Sequence, residues 1–212
     1  MISCSRSIVP KQWGTRKSRN GEIIKGRFVK LIAVPAILFF PSLCFGVDVG
    51  ITSIQVMTGY VSSPAVFGTS SRPDLNYVMT NVRVEWMRFV KNFRMLAEAT
   101  YSETTTGPSG YLVGGTLLLR YDFGPIRRFT PYAQVGAGIL YNDLYRDHSQ
   151  DLVGNEIEFN SQTSFGFRYA IHPKLSLDIE GIFHHVSNAG LEDRNDGING
   201  IGCLLGVTYY WE

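Results

Sequence analysis

Cysteine is scarce in this chain. Cys4, Cys44 and Cys203 are the only three in 212 residues, too few for the disulfide framework that staples small secreted domains. Acid is almost missing from the first 46 residues, where Glu22 stands against eight lysines and arginines. Long hydrophobic runs are missing too: Leu31 to Phe40 is apolar apart from Pro35, about half the ~20 residues a membrane helix needs. Past Val47 no segment keeps helical periodicity for more than a couple of turns. These absences exclude a disulfide-rich module, a helical membrane protein and an α-helical domain.

What is present begins with an address. The basic stretch ending at Lys30, the apolar run after it and the small residues Cys44 and Gly46 at the −3 and −1 positions before Val47 read as a cleaved signal peptide with a long basic lead, residues 1–46. Cys44 invites a lipoprotein reading, but Leu43 stands where that signal wants a small residue. Cleavage leaves Cys203 alone. The remaining 166 residues hold 12 basic and 17 acidic side chains, a net charge of −5, and no nucleic-acid partner is expected of them.

From Val47 onward the sequence breaks into runs of alternating character, each roughly ten residues long. Strands are expected near 49–59, 77–88, 93–102, 111–121, 129–140, 157–169, 174–187 and 200–211, separated by clusters such as Thr106-Gly107-Pro108-Ser109-Gly110. Asn81, Arg83 and Glu85 alternate with Val82, Val84 and Trp86, and Asn160, Gln162 and Arg168 lie opposite Phe159, Phe165 and Phe167. So many charges cannot share a small dry core. They can line the polar interior of a barrel whose other face meets lipid, and ten tilted residues suffice to cross. Residues 47–212 are therefore expected to form an all-β, eight-stranded antiparallel transmembrane barrel of a Gram-negative outer membrane. Aromatics at the ends of runs, among them Phe93, Tyr101, Tyr111, Tyr121, Tyr132, Tyr141, Tyr169, Tyr209 and Trp211, would form the interfacial girdles. A soluble ligand-binding barrel would invert the faces. Uneven connections argue against it: those after strands two, four and six are short and read as periplasmic, whereas those near 60–76, 141–156 and 188–199 are longer.

One strand carries chemistry. In the segment Phe183-His184-His185-Val186-Ser187, His185 and Ser187 are two residues apart and so share a face. That face continues backwards as Phe183, Gly181, Ile179, Leu177 and Leu175, an apolar stripe, while Asp178 and Glu180 lie opposite. A possible base and a possible nucleophile thus stand above a lipid-facing row, toward the outer leaflet. His184, of opposite parity, is expected to face the lumen in a structural role. His148 beside Asp147 and Asp151 lacks the spacing of a metal site. His172 before Pro173 belongs to a solvated turn, and Cys203 reads as a small apolar group facing lipid.

The stretch His185-Val186-Ser187-Asn188-Ala189-Gly190-Leu191, continuing through Asn195-Asp196-Gly197-Ile198, resembles the signature of the outer-membrane lipid A 3-O-deacylase (PagL) family, and the barrel plan fits that family across the mature chain. The resemblance implies a serine esterase that removes the acyl chain at the 3-position of lipid A in lipopolysaccharide, with no metal or cofactor. It makes Ser187 the nucleophile and His185 its base. The Gly190 N–H and the Asn195 side chain become candidates for the oxyanion hole, with Asn188 in support. One position departs: where the family's triad carries an acid, twelve residues past the serine, this chain has Asn199. An Asn can orient the imidazole, but it cannot offset the imidazolium charge, and Glu192, Asp193 or Asp196 is an alternative orienter. Arg146, Arg194 and Arg72 are candidate partners for lipid phosphates. The expected assembly is a monomer or homodimer. The rival reading is a non-catalytic barrel of the same plan, a structural or adhesin-like surface protein in which His185 and Ser187 are inert.

Overall fold

The computed structural model describes residues 47–64, 74–90 and 92–211; the expected signal peptide, Arg72, Lys91 and Glu212 lie outside the described residues. Eight strands follow one another: β1 (Val47–Ser63), β2 (Leu75–Phe89), β3 (Phe93–Thr106), β4 (Tyr111–Asp122), β5 (Phe129–Asn142), β6 (Ile157–His172), β7 (Leu175–Ser187) and β8 (Ile198–Tyr210). Each pairs antiparallel with the next, and β1 closes on β8 from Ser53↔Tyr210 to Ser62↔Ile201. Closure leaves no unpaired sheet edge, the condition a strand must meet to sit in hydrocarbon. The connections 90–92, 123–128 and 173–174 are short and share an end with Val47 and Tyr210. At the other end lie 143–156 and 188–197, the first containing a single 3-10 turn, Leu144–Arg146.

The two faces of the barrel separate as strand alternation requires. Val82, Leu117, Val135, Phe159, Phe165, Leu177, Ile179 and Leu205 are exposed on the outside, which for this exterior means exposed to lipid. Inside, the arginines are hydrogen-bonded to carboxylates or to side-chain amides. Arg83 on β2 lies in register with Glu98 on β3 and donates Nε to Glu98 Oε2 at 2.6 Å. Its terminal nitrogens grip Glu180 of β7 with both prongs, at 2.7 and 3.0 Å. Arg120 donates to Gln134 and Gln55, and Arg168 to Asp178. Buried charge persists when every member has a partner, and breaking such a pair destabilises by ~3–5 kcal/mol. Glu180→Ala should accordingly lower the temperature at which the barrel loses its heat-modifiable, fast-migrating form on a gel, and Glu180→Gln should do so less. An unchanged transition would contradict this account of the lumen.

Tyr132 corrects one expectation. It belongs to no girdle: it is fully buried, donates its hydroxyl to Glu180 Oε2 at 2.9 Å and lies beneath the Arg120 guanidinium, 4.4 Å from the ring centroid. Its partner across β6 is Gly166, and a Cβ there would come within 2.3 Å of the ring. The glycine gives the ring its space. True girdle contacts form between Phe93 and Tyr121, between Tyr101, Tyr111 and Tyr141, and between Tyr209 and Trp211.

Toward the long-loop end the lumen turns apolar. Val61, Leu75, Tyr77, Leu112, Leu140, Val186 and Ile198 join Leu144, Leu152 and Val153 of the 143–156 connection in one buried cluster. The connection therefore folds into the mouth and plugs it, and it forms one wall of the region described next.

Candidate active site

Strand β7 ends at Ser187, at the rim beside the plug. Alternation places Leu177, Ile179 and Phe183 on the exposed face with His185 and Ser187 above them, while Asp178, Glu180 and His184 are buried inside. His184 has the lumen role expected of it: its Nδ1 shares a 2.9 Å hydrogen bond with the Tyr77 hydroxyl.

The neighbouring strand completes the group. Asn199 on β8 is registered directly opposite His185, and its Oδ1 accepts a hydrogen bond from His185 Nδ1 at 2.7 Å. A carbonyl oxygen can only accept, so Nδ1 carries a proton, and in the neutral imidazole Nε2 is then bare. That bare Nε2 accepts from the Ser187 hydroxyl at 3.0 Å. Hydroxyl, imidazole and amide thus form a line, each half-buried, with two of its members on one strand and the third fixed by the ladder. With Nδ1 held by Asn199, that position is not open to Glu192, Asp193 or Asp196. Gly197 packs against the group with φ +73°: a Cβ there would lie 3.4 Å from His185 Cε1 and 3.2 Å from the Val186 carbonyl. Glycine takes this conformation without a steric cost.

Asn188 organises the loop that follows. Almost wholly buried, it accepts at Oδ1 from the N–H groups of Gly190 and Leu191, at 2.9 and 3.1 Å. Its own N–H donates to Asn195 Oδ1 at 2.9 Å. Ala189 and Gly190, with φ of 56° and 79°, make the turn. The two oxyanion candidates consequently part company. The Gly190 N–H is committed to Asn188 and shapes the loop, whereas the amide NH₂ of Asn195 has no hydrogen-bond partner among the described residues and belongs to a residue tied to the backbone next to Ser187.

Arg194 is not turned to the outside. Its guanidinium donates to the carbonyls of Tyr145 at 2.9 Å, Asp147 at 3.1 Å and Gln150 at 3.4 Å. Arg146 is exposed and lies against Tyr145. In the same loop Ser149 donates its hydroxyl and backbone N–H to Asp147 and holds that carboxyl below its ordinary range. Cys203 is exposed on the lipid face. His172 ends β6 at the short turn, its Nδ1 accepting from the Lys174 N–H. Among the described residues no cluster of three or more His, Cys, Asp or Glu is placed to hold a metal ion. A cavity of about 640 Å³ opens at the short-turn end between Arg94, Asp122, Arg128 and Arg168. Its lining mixes these charged groups with Pro125, Ala170, Ile171 and Pro173, and it contains neither Ser187 nor His185.

An eight-stranded closed barrel with an apolar exterior and a paired polar lumen is an outer-membrane protein of a Gram-negative cell. A family model described as lipid A 3-O-deacylase (PagL) matches residues 76–208, well over half the chain, and the chain belongs to that family of hydrolases. The reaction is therefore removal of the acyl chain at the 3-position of lipid A within the outer membrane, and the adhesin-like alternative has less to support it. Among solved structures, Neisserial surface protein A shares 14% identity over 78% of this chain and 99% of its own, with a TM-score of 0.57. The outer membrane enzyme PagL shares 18% over 73% of this chain and 97% of its own, with a TM-score of 0.54. Both likenesses are of fold. No curated protein sequence matches.

Proposed function

We propose that deacylation proceeds by serine-esterase chemistry, with Ser187 as nucleophile, His185 as general base, Asn199 as orienter and the Asn195 amide as oxyanion donor. The observation that carries this reading is the hydrogen-bonded line from Ser187 Oγ through His185 to Asn199 Oδ1, at 3.0 and 2.7 Å, on the lipid face of β7. Lipid A diffuses laterally and lays an acyl chain along Phe183, Ile179 and Leu177, so its ester arrives at the level of Ser187. The Oγ–H bond breaks as Oγ bonds to the acyl carbon, and the proton passes to Nε2. Negative charge collects on the former carbonyl oxygen, where a fixed amide donor lowers the barrier. As the tetrahedral species collapses, Nε2 returns the proton to the departing 3-oxygen of the sugar. Water, deprotonated by the same nitrogen, releases the fatty acid. No step calls on a metal or cofactor.

Asn199 does part of what a carboxylate does. It fixes the tautomer but leaves the transient imidazolium uncompensated, so turnover is slower than with an acid in that place. Since β7 and β8 of one chain supply the whole group, a monomer or a homodimer can act. The Arg146 side chain, exposed on the outer loop, is a candidate partner for a lipid phosphate. A fluorophosphonate probe tests the nucleophile directly: after reaction with the folded barrel, peptide mass spectrometry should find the adduct on Ser187, and none in Ser187→Ala or His185→Ala. Labelling elsewhere, or labelling indifferent to His185, would overturn the assignment.

A further inference from the structure

We infer that Arg194 is a positioning residue: by clasping the plug connection it holds Asn195 in place beside the nucleophile. This rests on the serine-esterase reading above and adds to it a residue whose charge serves the site from a distance.

The loop 188–197 has little of its own to hold it. It contains no helix or strand, and its tip is exposed, with Leu191 at 72%. Its internal bonds converge on Asn188, which takes the N–H groups of Gly190 and Leu191 and donates Nδ2 to the Arg194 carbonyl at 3.2 Å. Those bonds order the loop against itself but do not anchor it to the barrel. The anchors come from the plug. The Asp196 N–H donates to the Asp151 carbonyl at 2.8 Å and the Gly197 N–H to the Leu152 carbonyl at 2.9 Å, while the Arg194 guanidinium caps the carbonyls of Tyr145, Asp147 and Gln150. The plug is itself firmly seated. Leu144, Leu152 and Val153 are buried in the upper lumen, Gln150 bridges Leu144 and Val153 through its side chain, and Glu158 holds the N–H groups of Gly154 and Asn155.

Three carbonyls brought to one guanidinium make a fork that only arginine fills. Its donors are fixed in a plane, and hydrogen bonds from a charged group are about twice as strong as neutral ones. Gly154 completes the fit, because a Cβ there would lie 2.7 Å from the Arg194 carbonyl and 3.2 Å from its Cβ. Asn195 is the next residue along. Its Oδ1 holds the N–H of Asn188, the residue after the nucleophile, so the place of its free NH₂ depends on the clasp. Ser187, His185 and Asn199 stand on laddered strands and do not. A misplacement of about 1 Å in such a donor can lower the rate by ~10²-fold.

The test is a double-mutant cycle in the full-length, membrane-inserted protein. Arg194→Ala should reduce kcat by ~10–100-fold with KM little changed, and Arg194→Lys, which supplies a charge without the fork, should recover part of the loss. Because Arg194 acts through Asn195, the Arg194→Ala/Asn195→Ala pair should be hardly slower than Asn195→Ala alone. Additive losses, or a wild-type kcat in Arg194→Ala with the barrel intact by heat-modifiability, would overturn the proposal. Fluorophosphonate labelling separates its failure from that of the underlying reading. If Ser187 is labelled normally while the cycle is additive, only the clasp is wrong; if Ser187 is not labelled in the wild type, the esterase reading fails.

Discussion

Ser187→Ala and His185→Ala should each abolish release of the 3-linked acyl chain, by at least ~10³-fold, while the barrel folds and inserts as before. The size follows from the interdependence of nucleophile and base: in serine hydrolases the loss of either alone removes nearly everything the group contributes. The residual rate would come from oxyanion donation and substrate placement, which Asn195 and the apolar face of β7 still provide. Folding should survive because both residues stand at the rim, and the ladder to β6 and β8 is made by backbone atoms. The double substitution should be hardly slower than either single one. Fatty-acid release from purified lipid A checks the rates, and heat-modifiable migration checks the fold.

The second large effect concerns Asn199. Its Oδ1 is the hydrogen-bond partner that fixes the His185 tautomer, so Asn199→Ala should cost about 10²–10³-fold, less than the ~10⁴ seen when a serine protease loses its carboxylate and acquires the wrong tautomer. Asn199→Glu should do the reverse. A carboxylate offsets the imidazolium charge that forms as Ser187 attacks, and the variant should be faster than the natural chain. Measured turnover should order the three proteins as Glu above Asn above Ala. Equal rates for Asn and Ala would show that Asn199 does not orient the base, and the orienter would then have to be sought elsewhere.

Much of this architecture was legible because strand alternation has a period of two. Arg83, Glu85 and Glu180 announced the lumen by parity alone, and all eight strands stand where the alternation put them. Their ends were less legible. β1 runs on to Ser63 and β3 to Thr106, since the ladder continues beyond the apolar stretch into residues with no hydrophobic pattern to report. Tyr132 was misread because a tyrosine at a run end is ordinarily interfacial, and the space vacated by Gly166 shows only when β5 and β6 are paired. At the site, His185, Ser187 and Asn199 could be read from spacing and motif, two on one strand and the third one hairpin away. The fate of the Gly190 N–H could not, because it turns on how the Asn188 side chain folds back. Nor could that of Arg194: its charge suggested a phosphate, and the carbonyls that bind it come from the 143–156 connection.

The most direct measurement is mass spectrometry of lipid A from cells producing the natural chain or Ser187→Ala, with insertion of each verified. The natural chain should yield lipid A lighter by the 3-linked acyl chain, and Ser187→Ala should leave lipid A intact. An unchanged acyl pattern with the inserted natural chain, or deacylation undiminished in Ser187→Ala, would contradict the account.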